Sequence, residues 1–188
     1  VEGLTTVLNA FSKDTEEVTE VADVMFQTVK NGKTTFDQLS QALPRVASMA
    51  GAMGISFKEI SAAMATMTAQ GTKTEEAVTQ LRQVVMRMSD ALGSNWQKHM
   101  SLQEAMAKVY NQADGNVTKI KELIGSEEAV AAVMQMAGDQ AQRAAQHLED
   151  AKNSTGSMIG AFQKMKDTTE NQMKIFSNNL DAYILNPL

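Results

Sequence analysis

The sequence contains no cysteine, only two prolines and one tryptophan, and just 5% aromatic residues. Without cysteine it cannot form disulfides, thiolate zinc sites, iron–sulfur clusters or a cysteine nucleophile. Positive charge is also scarce: 17 Lys and Arg side chains stand against 22 Asp and Glu, for a formal net charge of −5. We therefore expect no nucleic-acid binding and no general attraction to anionic lipid from this segment.

Long hydrophobic runs are missing as well. The uncharged apolar stretch over residues 46–57 has twelve residues, whereas a membrane-spanning helix needs about 20. The first residues lack the basic start of a secretory signal, and the chain begins without methionine. These features predict no membrane span in this segment and indicate a piece of a longer protein.

Helix-forming residues dominate what is present. Ala, Met, Gln, Glu and Lys are abundant, and no stretch alternates apolar and polar residues with a period of two. Between residues 14 and 32 the apolar side chains recur at steps of three and one, which makes a single stripe on a helix. We predict an all-α fold, in which a bundle of short helices joined by glycine turns is followed by a long helical hairpin.

The sharpest local signal is a helix start. Ser56 and Glu59 have the spacing of a capping box, and Ser101 with Glu104 is predicted to cap a later short helix in the same way. Residues 35–43 align with residues 56–64 at an offset of 21, with identical or similar residues except at the third and seventh positions, so two helices begin alike. A kink is expected at Pro44, inside the first of the two.

We predict three regions. Residues 1–93 form a bundle of helical hairpins, residues 94–125 form a connector of short helices, and residues 126–188 form a long hairpin. Its two helices are predicted over residues 126–152 and 158–183, and the second carries apolar residues at steps of three and four. This seam is the candidate interface for self-association and consists of Met158, Phe162, Met165, Met173, Phe176, Leu180 and Tyr183.

Residues capable of chemistry do not form a recognisable site. The acidic pairs 16–17, 75–76 and 127–128 fall in predicted first helical turns, where negative charge complements the helix dipole. A nucleophile arrangement of Ser101, His99 or His147, and Asp90 lacks the turn that exposes a catalytic serine. The two histidines also have no second metal ligand at helical spacing. We predict no enzyme activity, no cofactor and no metal site.

Methionine is unusually frequent, with 14 residues. A methionine-rich surface can bind varied partners, but filling of the core is the favoured interpretation. It applies to the methionines on predicted inward stripes, which are Met25, Met64, Met67, Met88, Met134 and Met165.

Several spaced motifs, in order, resemble the core domain of phage tail tape measure proteins. The runs are FQTVKNGKTTF (26–36), VA (46–47), GISFKE (54–59) and MTAQG (67–71), followed by LIGSEEA (123–129), NSTG (153–156), AF (161–162) and NNL (178–180). The family-motif residues with structural roles are Gly32, Thr34, Thr35, Phe36, Gly54, Ser56, Phe57, Glu59 and Gly71. The chain departs from the family in a longer polar insert at residues 94–101.

The resemblance implies a structural function in a phage or prophage. Such proteins set tail length, nucleate polymerisation of the tail tube, occupy the tube lumen in a few copies, and are made in the host cytoplasm. The implied partners are other copies of the protein and components of the tail tube and tail assembly. Because glycines interrupt the helices, we expect a compact assembly or anchoring domain rather than the extended measuring region.

Two other functions remain open at this stage. One is an all-helical protein–protein interaction module without a phage role. The other is an enzyme such as a cell-wall hydrolase, whose catalytic residues would lie elsewhere in the parent chain.

Overall fold

The computed structural model describes residues 18–169, and every regular element among them is a helix. The predicted all-α fold is confirmed. The helices are α1 (Val18–Asn31), α2 (Phe36–Ala42), α3 (Pro44–Ala52), α4 (Phe57–Ala69), α5 (Thr74–Leu92), α6 (Leu102–Gln112), α7 (Val117–Ile124), α8 (Glu127–Met136) and α9 (Ala141–Lys152). Short 3₁₀ turns cover Trp96–Lys98 and Gly138–Gln140, and residues 157–169 are helical.

The chain divides into two compact units, Val1–Thr155 and Gly156–Leu188. Within the described part of the first unit, α4 is the central element and packs against α1, α5, α8 and α9. Ten of its 13 residues are buried. Its alanines and serine leave room for neighbouring helices to approach closely, while Ile60, Met64 and Met67 fill the core between them.

Helix α5 is the longest described helix, with 19 residues, and carries a single apolar face. Val78, Leu81, Val84, Val85 and Met88 are buried on this face, which packs against α8. Segments from before residue 93 and after residue 126 therefore share one core. The subdivision at residues 93 and 125 stays a prediction.

Two details of the predicted helices are corrected. Residues on either side of Leu43 form separate helices, because Pro44 occupies the first turn of α3, where its missing N–H is not needed. The predicted helix over residues 126–152 is broken at Ala137, which is extended, and at Gly138, whose φ is +58°.

The predicted partner of that helix, over residues 158–183, is described only as far as residue 169. Among residues 18–169, no helix combines the length and apolar content needed to cross a bilayer.

Candidate assembly surfaces

The motif residues Ser56 and Glu59 form the predicted capping box at the start of α4. The Glu59 backbone N–H donates to Ser56 Oγ at 3.2 Å, and Glu59 Oε2 accepts from the Ser56 backbone N–H at 2.9 Å. This arrangement satisfies backbone N–H groups that have no partner inside the helix. Phe57, between them, is buried.

Glu59 also joins α4 to α6. Its Oε1 accepts from the Leu102 backbone N–H at 2.8 Å, and its backbone carbonyl accepts from Gln103 Nε2 at 2.8 Å. One carboxylate thus holds the first turns of two helices. Ser101 and Glu104 complete a second capping box at the start of α6. The sequence indicated both boxes but not the bond between them, because their 43-residue separation leaves no local signal.

The motif residues around α2 hold the α1–α2 turn against α4 and α5. A Cβ built on Gly32 would lie 2.3 Å from Thr68 Oγ1 and 3.2 Å from Ala65 Cα, so only glycine fits here without movement. The Thr34 and Thr74 hydroxyls are 2.8 Å apart and share a hydrogen bond. Thr35 caps α2 through its own box with Gln38.

Other motif residues lie at the surface or in turns. Phe36 is 42% exposed at the start of α2. Gly54 and Gly71 occupy turns that precede α4 and α5 and have positive φ angles. These motif residues therefore do not meet in one pocket; the structure distributes them over helix starts and turns.

Gln135, at the end of α8, is not among the residues that the sequence predicts to have a role. Its backbone carbonyl accepts from Gln70 Nε2 at 2.7 Å, its Oε1 accepts from Thr72 Oγ1, and its Nε2 donates to Gln80 Oε1 at 2.9 Å. A lone glutamine at a helix end carries no pattern that could reveal this role.

His147 lies in a chain of polar contacts that superficially resembles a hydroxyl–histidine–carboxylate site. Thr66 Oγ1 is 2.9 Å from His147 Nδ1, and Asp150 lies one helical turn along α9. The single Thr66 hydroxyl proton is donated to the Ala62 carbonyl at 2.9 Å, so His147 Nδ1–H is the donor to Thr66. Because Thr66 is also fully buried, its hydroxyl cannot reach a substrate.

Burial, hydrogen bonds and neighbouring charges shift the pKa values of His147 and Asp150. Burial lowers the pKa of His147; the Asp150 carboxylate opposes this shift and Arg143 adds to it. Burial acts to raise the pKa of Asp150, but hydrogen bonds from Gln146 and Asn31 outweigh it, so this pKa is lowered overall. The Asn31 bond, at 2.7 Å, ties α9 to α1.

The described acidic pairs considered as candidate sites make contacts at the starts of helices. Glu75 forms an ion pair with Arg45, and Glu127 forms one with Lys121 at 2.6 Å. A hydrogen bond from its own backbone N–H and one from Ser126 lower the pKa of Glu128. The acidic pairs 75–76 and 127–128 lie in first helical turns as predicted, and the pair 16–17 lies outside the described residues.

Within residues 18–169, no group of three or more His, Cys, Asp or Glu side chains is arranged to hold a metal ion. His99 is exposed, and Ser101 is engaged in its capping box. Of the residues considered for a nucleophile arrangement, Ser101 thus caps a helix and His147 joins two helices.

Helical residues 157–169 carry the described part of the candidate interface. Met158 is 37% exposed, Phe162 62% and Met165 60%. These side chains follow one another at spacings of four and three, so they share one face of the helix. Met173, Phe176, Leu180 and Tyr183 lie outside the described residues.

The interpretation of the methionines as core residues is partly corrected. Met25, Met64, Met67 and Met88 are fully buried, but Met134 and Met165 are exposed. On α8 the buried methionine is Met136, which continues the inward face of Ala132 and Val133, whereas Met134 lies off that face.

Comparison with known proteins gives a consistent result. A family model described as phage-related minor tail protein matches residues 1–178. The chain is 28% identical, over 194 aligned residues, to a probable tape measure protein of Clostridium phage phiCD119, covering 92% of this chain and 21% of that protein. It is 28% identical, over 123 residues, to the tape measure protein of Pneumococcus phage Dp-1, covering 65% of this chain and 10% of that protein.

The chain therefore spans about a fifth of the length of the first relative and a tenth of the second. No solved structure matches it.

Proposed function

Because the chain belongs to the phage-related minor tail protein family, we propose that it is part of a tape measure protein that sets the length of a phage tail and nucleates polymerisation of the tail tube. Two relatives that bear the name tape measure protein support this proposal. The role is structural, and no catalytic step is assigned to these residues. The protein acts in the virion tail, inside the tube lumen, after synthesis and assembly in the host cytoplasm.

Within that protein, this segment serves as a compact assembly or anchoring domain rather than as a length of ruler. The observation that carries this proposal is the shared core of residues 18–155, in which α4 packs against helices from both ends of the unit. As one unbroken helix, 188 residues would extend about 280 Å at ~1.5 Å per residue. The longest described helix has 19 residues, or about 28 Å.

Self-association in a few copies is assigned to the apolar face that begins at Met158. Large exposed apolar side chains at spacings of four and three can pack against an equivalent helix, which removes them from water. In the sequence, the same spacing continues through Met173 to Tyr183. The tail tube and tail assembly proteins are the other proposed partners.

Self-association is tested by sedimentation velocity on the 188-residue chain. We expect the wild type to form a species of a few copies and Phe162→Ser to shift it toward the monomer. Met86→Ser is the control, since Met86 is 46% exposed on α5 and lies outside the proposed face. A monomeric wild type, or equal effects of both substitutions, would contradict the assignment.

The assembly role is tested by deleting the codons for residues 18–155 from the parent gene and imaging the products by electron microscopy. An assembly domain predicts that tails do not form or that tubes lose length control. A ruler predicts complete tails that are shorter by about 1.5 Å per deleted residue. Normal tails of unchanged length would favour an interaction module with no role in tail assembly.

A further inference from the structure

The break between α8 and α9 is held by contacts from distant parts of the chain. Ala137 is extended, with φ −118° and ψ −173°, and Gly138 has φ +58°. We call residues 137–140 the elbow. No proline lies in or next to it, so the usual local cause of a helix break is absent.

The sequence on either side favours one continuous helix. Apolar residues continue through the elbow at spacings of three and four, as on one face of a single helix. They are Val130, Val133, Ala137, Ala141, Ala144, Leu148 and Ala151. Of the elbow residues, only Gly138 disfavours a helix strongly.

Two long-range contacts fix the elbow itself. The three hydrogen bonds of Gln135 fasten the last turn of α8 to Gln70, Thr72 and Gln80. The ring of Tyr110 covers Gly138, where an added Cβ would lie 2.8 Å from Tyr110 Oη. This packing leaves no space for a side chain on the bent backbone.

Other contacts fix the direction of α9 beyond the elbow. Ala144, Leu148 and Ala151 are buried, and α9 packs extensively on α4. His147 donates to Thr66 on α4, and Asn31 on α1 donates to Asp150. The bend is therefore a tertiary feature imposed on a helical sequence.

We propose that the elbow is a conformational switch, in which residues 127–152 join into one helix of about 39 Å when α9 leaves α4. Straightening exchanges the Tyr110, Gln135 and α4 contacts for continuous backbone hydrogen bonds along residues 133–144. It converts part of the compact unit into an extended rod. Its use during tail assembly rests on the proposed function, but its existence is a property of the isolated chain.

The absence of cysteine allows the switch to be measured directly. Spin labels are attached to the chain carrying Glu128→Cys and Ala145→Cys, two exposed positions on α8 and α9, and their separation is measured by pulsed dipolar spectroscopy. In a continuous helix the two backbone positions are about 26 Å apart. The wild type should give one narrow distance that differs from this value.

Gly138→Ala disfavours the positive φ of the elbow and places a Cβ against Tyr110. We expect it to move most molecules to a narrow peak near 26 Å. Gly125→Ala is the matched control, because Gly125 has φ +69° with open space around it and lies at the end of α7. It should keep the wild-type distance.

Gln135→Ala provides a second variant that leaves the elbow glycine in place. We expect it to populate the same peak to a smaller extent. The switch is contradicted if both variants keep the wild-type distance, or if they replace it with a broad distribution, which would mean that α9 unfolds rather than joins α8. The distance measurement tests the switch in the isolated chain, whereas the codon deletion tests the role in tail assembly. Either proposal can therefore fail without the other.

Discussion

The side chains of helix α4 and those of the described helical residues 157–169 have opposite environments. Ten residues of α4 are buried, whereas none of residues 157–169 is. In α4, small and apolar residues surround the helix, so six neighbouring helices pack against it. In residues 157–169, Met158, Phe162 and Met165 share one face and remain exposed.

Apolar content alone therefore does not separate a buried helix from one with exposed apolar residues. The distribution of the apolar residues around the helix axis decides how much of the helix its neighbours must cover. A helix with apolar residues on all sides is stable only inside a fold. A helix with a single apolar stripe can be covered by packing against one partner.

The largest expected difference between α4 and residues 157–169 is in the effect of methionine substitutions on stability. Met64→Ala removes a fully buried side chain from α4 and should lower the free energy of unfolding by about 2–5 kcal/mol, because a cavity remains. Met165→Ala, on the exposed face, should change it by less than about 0.5 kcal/mol. Urea denaturation of both variants measures the difference, and equal losses would remove the distinction between the two helices.

A second test concerns how α4 is fixed in place. Glu59→Ala removes the α4 capping box and the bond to the Leu102 N–H together, and we expect a loss of about 1–3 kcal/mol. Glu104→Ala removes a single capping box and should cost about 1 kcal/mol. If Glu104→Ala costs as much as Glu59→Ala, the α4–α6 bond contributes nothing measurable.

A third test concerns the close approach of α1 to α4. Gly32→Ala places a Cβ against the Thr68 hydroxyl and Ala65, and the overpacking should cost about 1–3 kcal/mol. In a Thr68→Ala background the same substitution should cost less, because the nearest clashing atom is gone. A double-mutant cycle measures this coupling; strictly additive effects would show that the hydroxyl does not limit the approach.

The smallest expected effect is a pH dependence at the α9–α4 contact. Burial lowers the pKa of His147 in the folded chain, so near pH 6 the unfolded chain binds more protons and the free energy of unfolding rises with pH. Stability should fall as pH decreases through about 6.5, the ordinary histidine pKa. The lowered Asp150 pKa acts below about pH 4, where stability is lost as that carboxylate becomes protonated.

Unfolding measured between pH 7.5 and pH 5 isolates the histidine contribution. His147→Gln should flatten the slope, whereas His99→Gln, at an exposed position, should retain it. An unchanged slope in His147→Gln would assign the pH dependence to other groups.

The starts of the helices were predictable because their signals are local. Ser56 with Glu59, and Ser101 with Glu104, each lie three residues apart and act within one turn. The burial of Met25, Met64, Met67 and Met88 followed from periodicity. What binds these helices to each other was not predictable, since Glu59 reaches across 43 residues and Gln135 across 55.

The break between α8 and α9 also depends on contacts between residues that are distant in the sequence. Its apolar spacing predicts a helix that only Gly138 disfavours locally, and the bend is held by Tyr110, by the polar contacts of Gln135 and by the packing of α9 on α4. Met134 is exposed because the buried face of α8 runs through Ala132, Val133 and Met136, and residue 134 lies off that face. Tertiary contacts overrode local preference, and no pattern within residues 126–152 encodes them.

We propose that residues 18–155 act as a folded unit and not as a length of ruler. Duplicating their codons in tandem in the parent gene and measuring tail length by electron microscopy tests it most directly. We predict tails of unchanged length, or failure of assembly. Complete tails lengthened by about 210 Å, which is 138 residues at ~1.5 Å each, would contradict it.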